Sequence, residues 1–201
     1  MSGTAQVAQL HAVEDAPEPS RSPIDRPRAL AAVAELLAAL GYEVAADLTE
    51  TPRRVVDGFV ELTTPRPFAM TAFPNDDGYG DLVVVRDIPF VSLCRHHLLP
   101  FRGVATVGYL PGDRLLGLSK LARVVERHAR DLQVQESLTV QIADTLEAEL
   151  EPRGVGVVLR AEHMCMSLRG VQAAGATTET TSFRGELAGD RGLQARFRQE
   201  I

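Results

Sequence analysis

Both cysteines of this chain and three of its five histidines fall in two short segments, Cys94-Arg95-His96-His97 and His163-Met164-Cys165, and any fold must account for that clustering. Two thiols and several imidazoles gathered in this way read as one metal site. A catalytic zinc takes three protein ligands and leaves its fourth position to water, and two Cys plus one His is a recognised set. Cys94 and His97 are spaced so that two side chains of one tight turn can meet a single ion. The run from Gly154 to Met166 reads as a strand, which puts His163 and Cys165 on one face and Met164 and Met166 on the other.

Two plainer readings stand beside this one. Free cysteine is often a small buried hydrophobe, and a lone histidine is often an ordinary core or surface group. A disulfide between Cys94 and Cys165 is the other, and it leaves the flanking histidines unexplained. The chain has no apolar run of membrane-spanning length, and its N-terminus lacks the basic-then-apolar order of a signal peptide. The expected compartment is therefore the cytoplasm, where thiols stay reduced and can hold metal.

At 201 residues, 45% of them hydrophobic, the chain can bury a core, and one domain plus a tail is expected. Residues 1–24 carry Ala, Pro, Glu and Ser with few large apolar groups and read as a disordered tail. A helix is predicted from Asp25, with Pro27 in its first turn, Leu30, Val33, Leu37 and Leu40 at helical spacing, and Gly41 as its stop. A second follows Thr51-Pro52 and is expected to bury Val55, Val56, Phe59 and Val60.

Strands are predicted from Leu82 toward Cys94 and from Val104 to Leu110. A helix pair follows, lined by Leu118, Leu121, Ala122, Val125 and Ala129, then by Leu138, Ile142, Leu146 and Leu150. Next come the strand bearing His163, a threonine-rich strand from Thr177 to Phe183, and a short polar helix near Leu193 to Arg198. Strands separated by a helix pair, without regular βα alternation, indicate an α+β fold. No Gly-rich phosphate loop or Walker lysine motif occurs, so a nucleotide must be held by side chains and helix termini.

The net charge is −6, and among 21 basic residues the single lysine is Lys120. Against a background of arginine, a lysine suits a compact point charge aimed at a phosphate, although a surface position retained by chance reads the same way.

Four segments, in order, carry a resemblance: Thr51-Pro52-Arg53-Arg54-Val55; Cys94-Arg95-His96-His97-Leu98-Leu99-Pro100-Phe101; Gly117-Leu118-Ser119-Lys120-Leu121-Ala122-Arg123 with Gln133-Val134-Gln135-Glu136; and His163-Met164-Cys165-Met166 with Arg169-Gly170. From about Arg28 onward the chain resembles the GTP cyclohydrolase I family. The resemblance implies a tunnelling fold: an antiparallel sheet with a helix pair on one face and N-terminal helices, closing with other subunits into a barrel. It also implies a helical part at residues 25–64, a core from about residue 80 to 201, and a homodecamer with sites between protomers. The implied reaction opens the imidazole ring of GTP at C8, releases formate and closes the product as 7,8-dihydroneopterin 3′-triphosphate, an entry to tetrahydrofolate and pterin synthesis. No nucleic-acid or membrane partner is implied.

Site roles follow from the same resemblance. Cys94, His97 and Cys165 would bind Zn2+, and His96 and His163 would transfer protons. Glu136, with Gln135 beside it, would recognise guanine. Ser119, Lys120, Arg123 and Arg169 would clamp the triphosphate, and Arg54 would reach a neighbouring subunit's site. For Gln133, Gln135 and Glu136 the plainer reading is the polar first turn of a helix; for Arg54 and Arg123 it is a solvated helix face. Where the family usually has glutamate the chain has Arg95, a positive charge expected to disfavour zinc and to lower the pKa of a bound water. The alternatives are a specialised paralogue acting on GTP for a deazapurine or other secondary pathway, and a protein of altered catalysis.

Overall fold

In the computed structural model the described residues are His11–Ala12, 22–43 and 45–199. The tail expected at residues 1–24 falls mostly outside them. His11–Ala12 (β1) pair antiparallel with Thr71 and Ala72. The chain divides into two compact units, one within Ala16–Thr64 and one running from Pro65 onward together with β1.

The smaller unit is a helical hairpin. Arg26–Ala39 (α1) starts where the Asp25 carboxylate accepts from the Arg28 N–H at 3.0 Å, with Pro27 in the first turn. It stops at Gly41, whose φ of 87° only glycine adopts readily, while Tyr42 N donates to Leu37 O. Thr51–Thr63 (α2) also opens on proline. Asp57 of α2 takes both Arg26 and Arg53. The apolar stripes are there, but they are poorly covered: α1 buries no residue, and of the four side chains expected inside α2 only Val56 is buried. Two short helices enclose too little volume to have an interior.

The larger unit holds Thr71–Pro74 (β2), Val83–Cys94 (β3), Pro100–Leu110 (β4), Arg114–Leu116 (β5), Leu118–Ala129 (α3), Leu132–Gln133 (β6), Gln135–Leu150 (α4), Gly154–His163 (β7), Met164–Ser167 (α5), Thr178–Arg184 (β8), Gly185–Gly189 (α6) and Arg191–Arg198 (α7). The main sheet runs β6-β3-β4-β7-β8, antiparallel except where β6 joins β3, and β1-β2-β5 form a second small sheet. The short β5 and β6 lie below the length at which alternation is visible in a sequence.

Strand alternation decides which side chains face α3 and α4. Phe101, Ala105, Val107 and Tyr109 of β4 and Val155, Val157, Leu159 and Ala161 of β7 point to one face, and the register sets Ala105 against Leu159, Val107 against Val157 and Tyr109 against Val155. Leu121, Val124 and Val125 of α3 and Leu138, Ile142 and Leu146 of α4 close over them. This mixed α+β arrangement, an antiparallel sheet with a helix pair on one face, is the expected fold. On the other face Phe197 of α7 lies over Gly156, where a Cβ would stand 2.7 Å from the ring, and Arg86 donates to the Phe197 carbonyl at 2.6 Å.

Between α3 and α4, the His128 ring sits 2.7 Å from Thr145 Oγ1. Burial first, then neighbouring Arg127, lowers its pKa from 6.5 to about 4. The unfolded chain protonates this ring near 6.5 and the folded chain only near 4, so stability is full above pH 6.5 and falls between those values. The denaturation midpoint, followed from pH 7 to 4, should carry a component of about 3 kcal/mol from this group, and His128→Gln should remove that component.

Candidate metal centre

Cys94 is the last residue of β3, and the chain turns immediately beyond it. His97 N and Leu98 N both donate to Cys94 O, at 3.3 and 2.9 Å, and Cys94 N returns to Leu99 O at 2.8 Å. Leu98 completes the turn at φ 56°, a left-handed conformation costly for a branched side chain. The turn folds His97 back, setting its Nδ1 3.5 Å from Cys94 Sγ. Arg95 points away along the sheet: its backbone N donates to Gln133 O, and its Nε donates to Leu132 O at 3.3 Å.

The third donor arrives differently from the sequence expectation. The strand ends at His163, and Cys165 lies in the one-turn helix α5, so the two residues share no strand face. A helical turn rotates successive side chains by roughly 100°, which swings Cys165 toward Cys94 and leaves His163 on the sheet. The donor atoms of Cys94, His97 and Cys165 all lie within 4.8 Å of one another, and both cysteines are free thiols. Ligand atoms around a tetrahedral ion with bonds of 2.0–2.3 Å are roughly 3.5–4 Å apart, so the three need only a small closure to share one.

The electrostatics also favour a cation. Burial raises the Cys165 thiol pKa, the Cys94 sulfur beside it raises it further, and Arg169, whose Nη1 reaches the Cys165 carbonyl at 3.4 Å, opposes both. A divalent ion would relieve the burial penalty and the mutual repulsion of two thiolates together. Two sulfurs and one nitrogen are a borderline-soft donor set, suited to zinc.

His163 is held by a ring stack and a hydrogen bond. It stands opposite Phe101 in the β4–β7 register, and the rings stack at 4.5 Å with 2° between planes. Its Nε2 lies 2.7 Å from Gln135 Oε1. Burial lowers its pKa, and the carboxylate of Glu136, the residue after Gln135, pulls the other way. His96 is exposed, edge-on to His97 at 6.2 Å.

The remaining candidates sit on separate elements. Ser119, Lys120 and Arg123 occupy the first turns of α3, where Arg123 pairs with Glu126, as do Arg66 and Arg130. Arg54 is exposed on α2 in the smaller unit. Gln135, expected beside Glu136 at the substrate, is 1% exposed, and its amide is spent inside the protein. Sequence reading gave no role to Phe101, Thr139 or Thr180. A hydroxyl one helical turn after Gln135 and a threonine-rich strand were the available signals. A cavity of about 640 Å³ lies among Arg86, Thr106, Arg160 and Arg198, and none of the candidate residues lines it.

Fold and centre together define a mixed α+β protein with a three-donor thiolate and imidazole site whose histidine faces solvent. Residues 29–201 match the profile of the family described as GTP cyclohydrolase I. The chain is 49% identical over 187 residues to GTP cyclohydrolase 1 of Allorhizobium ampelinum, covering 90% of this chain and 92% of that protein. It is 48% identical over 179 residues to GTP cyclohydrolase 1 of Mycolicibacterium vanbaalenii, covering 85% and 88%, and 49% identical over 155 residues to that of Brucella anthropi, covering 75% and 73%. The chain belongs to the GTP cyclohydrolase I family.

Added to the metal-free protein, Co2+ should produce thiolate-to-metal charge-transfer absorption at one equivalent per chain. Cys165→Ser should weaken that binding by about 100-fold or more, read by competition with a chelator.

Proposed function

We propose that the chain is a zinc-dependent hydrolase that converts GTP to 7,8-dihydroneopterin 3′-triphosphate with release of formate. The observation that carries this reading is the meeting of Cys94, His97 and Cys165 within 4.8 Å, beside His163, in a chain of this family. Zinc held by those three residues would supply Lewis acidity that activates water at neutral pH. Every other task falls to the protein's own groups.

His163 serves as the group that gives a proton to N7 of the purine as C8 is attacked and takes it back afterwards; imidazole suits this because it exchanges protons near working pH. His96, exposed at the turn, serves the later proton transfers at the ribose. Glu136 accepts from the guanine N1–H and exocyclic amine, an edge that adenine does not offer. Glu136 directly follows Gln135, whose side chain touches His163, and this adjacency supports a purine held between the carboxylate and the imidazole.

The triphosphate is assigned to α3 and its surroundings. The helix begins behind Gly117 without a side-chain cap, so its first-turn N–H groups and dipole favour an anion there. Ser119, Lys120, Arg123 and Arg169 add a hydroxyl and three positive charges. Arg54 is assigned to a neighbouring subunit's site. Leu118, Leu168 and Val171 are 64%, 67% and 73% exposed on the segments that carry these residues, which supports a homo-oligomer, a decamer by family resemblance, with sites between subunits. No helix among the described residues is long and apolar enough to cross a membrane, and reduced thiols suit a cytoplasmic enzyme.

Purified protein with zinc and GTP should release formate and yield a pterin that fluoresces after oxidation, and Cys165→Ser should abolish both. Formate without pterin would restrict the activity to ring opening, and the absence of both products would overturn the reading. Glu136→Gln should lower kcat/KM for GTP by about 10- to 100-fold while leaving zinc content unchanged.

A further inference from the structure

Gln135 opens α4 with a side chain almost wholly enclosed, and the atoms around it leave no freedom in how its amide is oriented. Leu159 O at 3.2 Å and Thr178 O at 3.0 Å are backbone carbonyls, which only accept, so the amide nitrogen must face them. The amide oxygen therefore faces His163, and the 2.7 Å contact requires a proton on His163 Nε2. The same nitrogen also reaches Thr180 Oγ1 at 3.1 Å.

The hydroxyls behind Gln135 are equally constrained. Thr139 Oγ1 lies 2.7 Å from the Gln135 backbone carbonyl, one helical turn earlier, and must donate to it. The 2.6 Å contact between Thr139 Oγ1 and Thr180 Oγ1 then has one available proton, that of Thr180. Thr180 oxygen keeps a lone pair for the Gln135 amide. The circuit closes: Gln135 amide to Thr180, Thr180 to Thr139, Thr139 to the Gln135 carbonyl. The two hydroxyl protons are fixed in direction, and the two protons of the Gln135 amide are shared among Leu159 O, Thr178 O and Thr180 Oγ1.

We propose that Thr139 and Thr180 are positioning residues for the ring-opening step, acting through Gln135 to hold His163 with its proton on Nε2, so that Nδ1 is the atom that exchanges a proton with the purine. Phe101, stacked on the imidazole, fixes the ring plane, and the circuit fixes its rotation within that plane. In the step itself the ring, having taken a second proton from solvent water at Nδ1, reacts as the imidazolium: the N–H bond at Nδ1 breaks, its electron pair stays on the now neutral Nε2–H imidazole, and an N–H bond forms at purine N7. The Nε2–H donates to Gln135 before and after, so no hydrogen bond of the circuit has to rearrange. This inference rests on His163 acting on GTP as described above.

The test compares Thr180→Val, close in shape but without the hydroxyl, with Thr180→Ser, which keeps it, in the zinc-loaded enzyme. Thr180→Val should lower kcat by about 10- to 100-fold with KM for GTP and zinc content little changed, and Thr180→Ser should stay within about threefold of the parent. Nitrogen NMR of labelled histidine should show the neutral ring of the parent His163 as the Nε2–H form, and a weaker Nε2–H hydrogen bond to Gln135 in the valine variant. Parent-like kcat in the valine variant, an equal loss in the serine variant, or a neutral parent ring carrying its single proton on Nδ1 would each overturn the proposal. If the valine variant does not fold, the tautomer of the parent ring decides. If the parent makes neither formate nor pterin, the assigned activity fails, and the tautomer still reads the circuit.

Discussion

The antiparallel pairing of β4 with β7 is the contact on which the centre depends. It runs unbroken from Phe101 against His163 to Leu110 against Gly154. Its first pair belongs to the site and its remaining pairs to the core, so a single register serves both. A slip of one residue would turn Ala105, Val107 and Tyr109 away from α3 and α4, and would also unstack His163 from Phe101. The apolar alternation of two strands is therefore what aims an imidazole. Because β3 pairs with β4 on its other edge and ends at Cys94, the same register also delivers the first metal donor to the end of the sheet where α5 begins.

At that end, local turns take over from the sheet. The turn through Leu98 returns His97 toward Cys94, and α5 brings Cys165 from the opposite side. Neither segment would hold two thiols close together unaided, since burial and mutual repulsion both work against ionising Cys165. The geometry is maintained by the sheet, and a cation would make it favourable. Arg95 is drawn toward Leu132 O on β6. Its charge still resides on the turn, but its side chain is committed along the sheet edge.

The sequence made the donor set legible because cysteine is scarce in the chain and both copies sit beside histidine. The ends of α1 and α2 and the apolar stripes of α3 and α4 were readable because proline, glycine and apolar spacing act locally, except that Leu118, expected on the covered face of α3, is exposed. The strand face shared by His163 and Cys165 was not borne out. Alternation in Gly154–His163 runs into Met164-Cys165-Met166 with no proline or glycine to mark the change, and the break comes from tertiary packing. The small strands β5 and β6 were likewise invisible, being stabilised by neighbours distant in sequence. The role of Gln135 was hidden for a related reason: a helix first turn says nothing about which of its polar groups faces inward.

That last ambiguity has a physical resolution in the adjacent pair Gln135 and Glu136. One lies inside against Leu159 O, Thr178 O and His163, and the other lies outside, near enough to influence the same ring. A carboxylate at the inner position would face two carbonyl oxygens in an enclosed space, with lone pairs opposed and no donor to offer them. In the proposed guanine contact, an amide at the outer position would lose the charge that makes acceptance from two N–H groups strong. The inner site therefore requires a neutral group with a donor on one side and an acceptor on the other, and the proposed guanine contact calls for an anion at the outer one. Glutamine followed by glutamate meets both demands with side chains of the same length, differing in one atom.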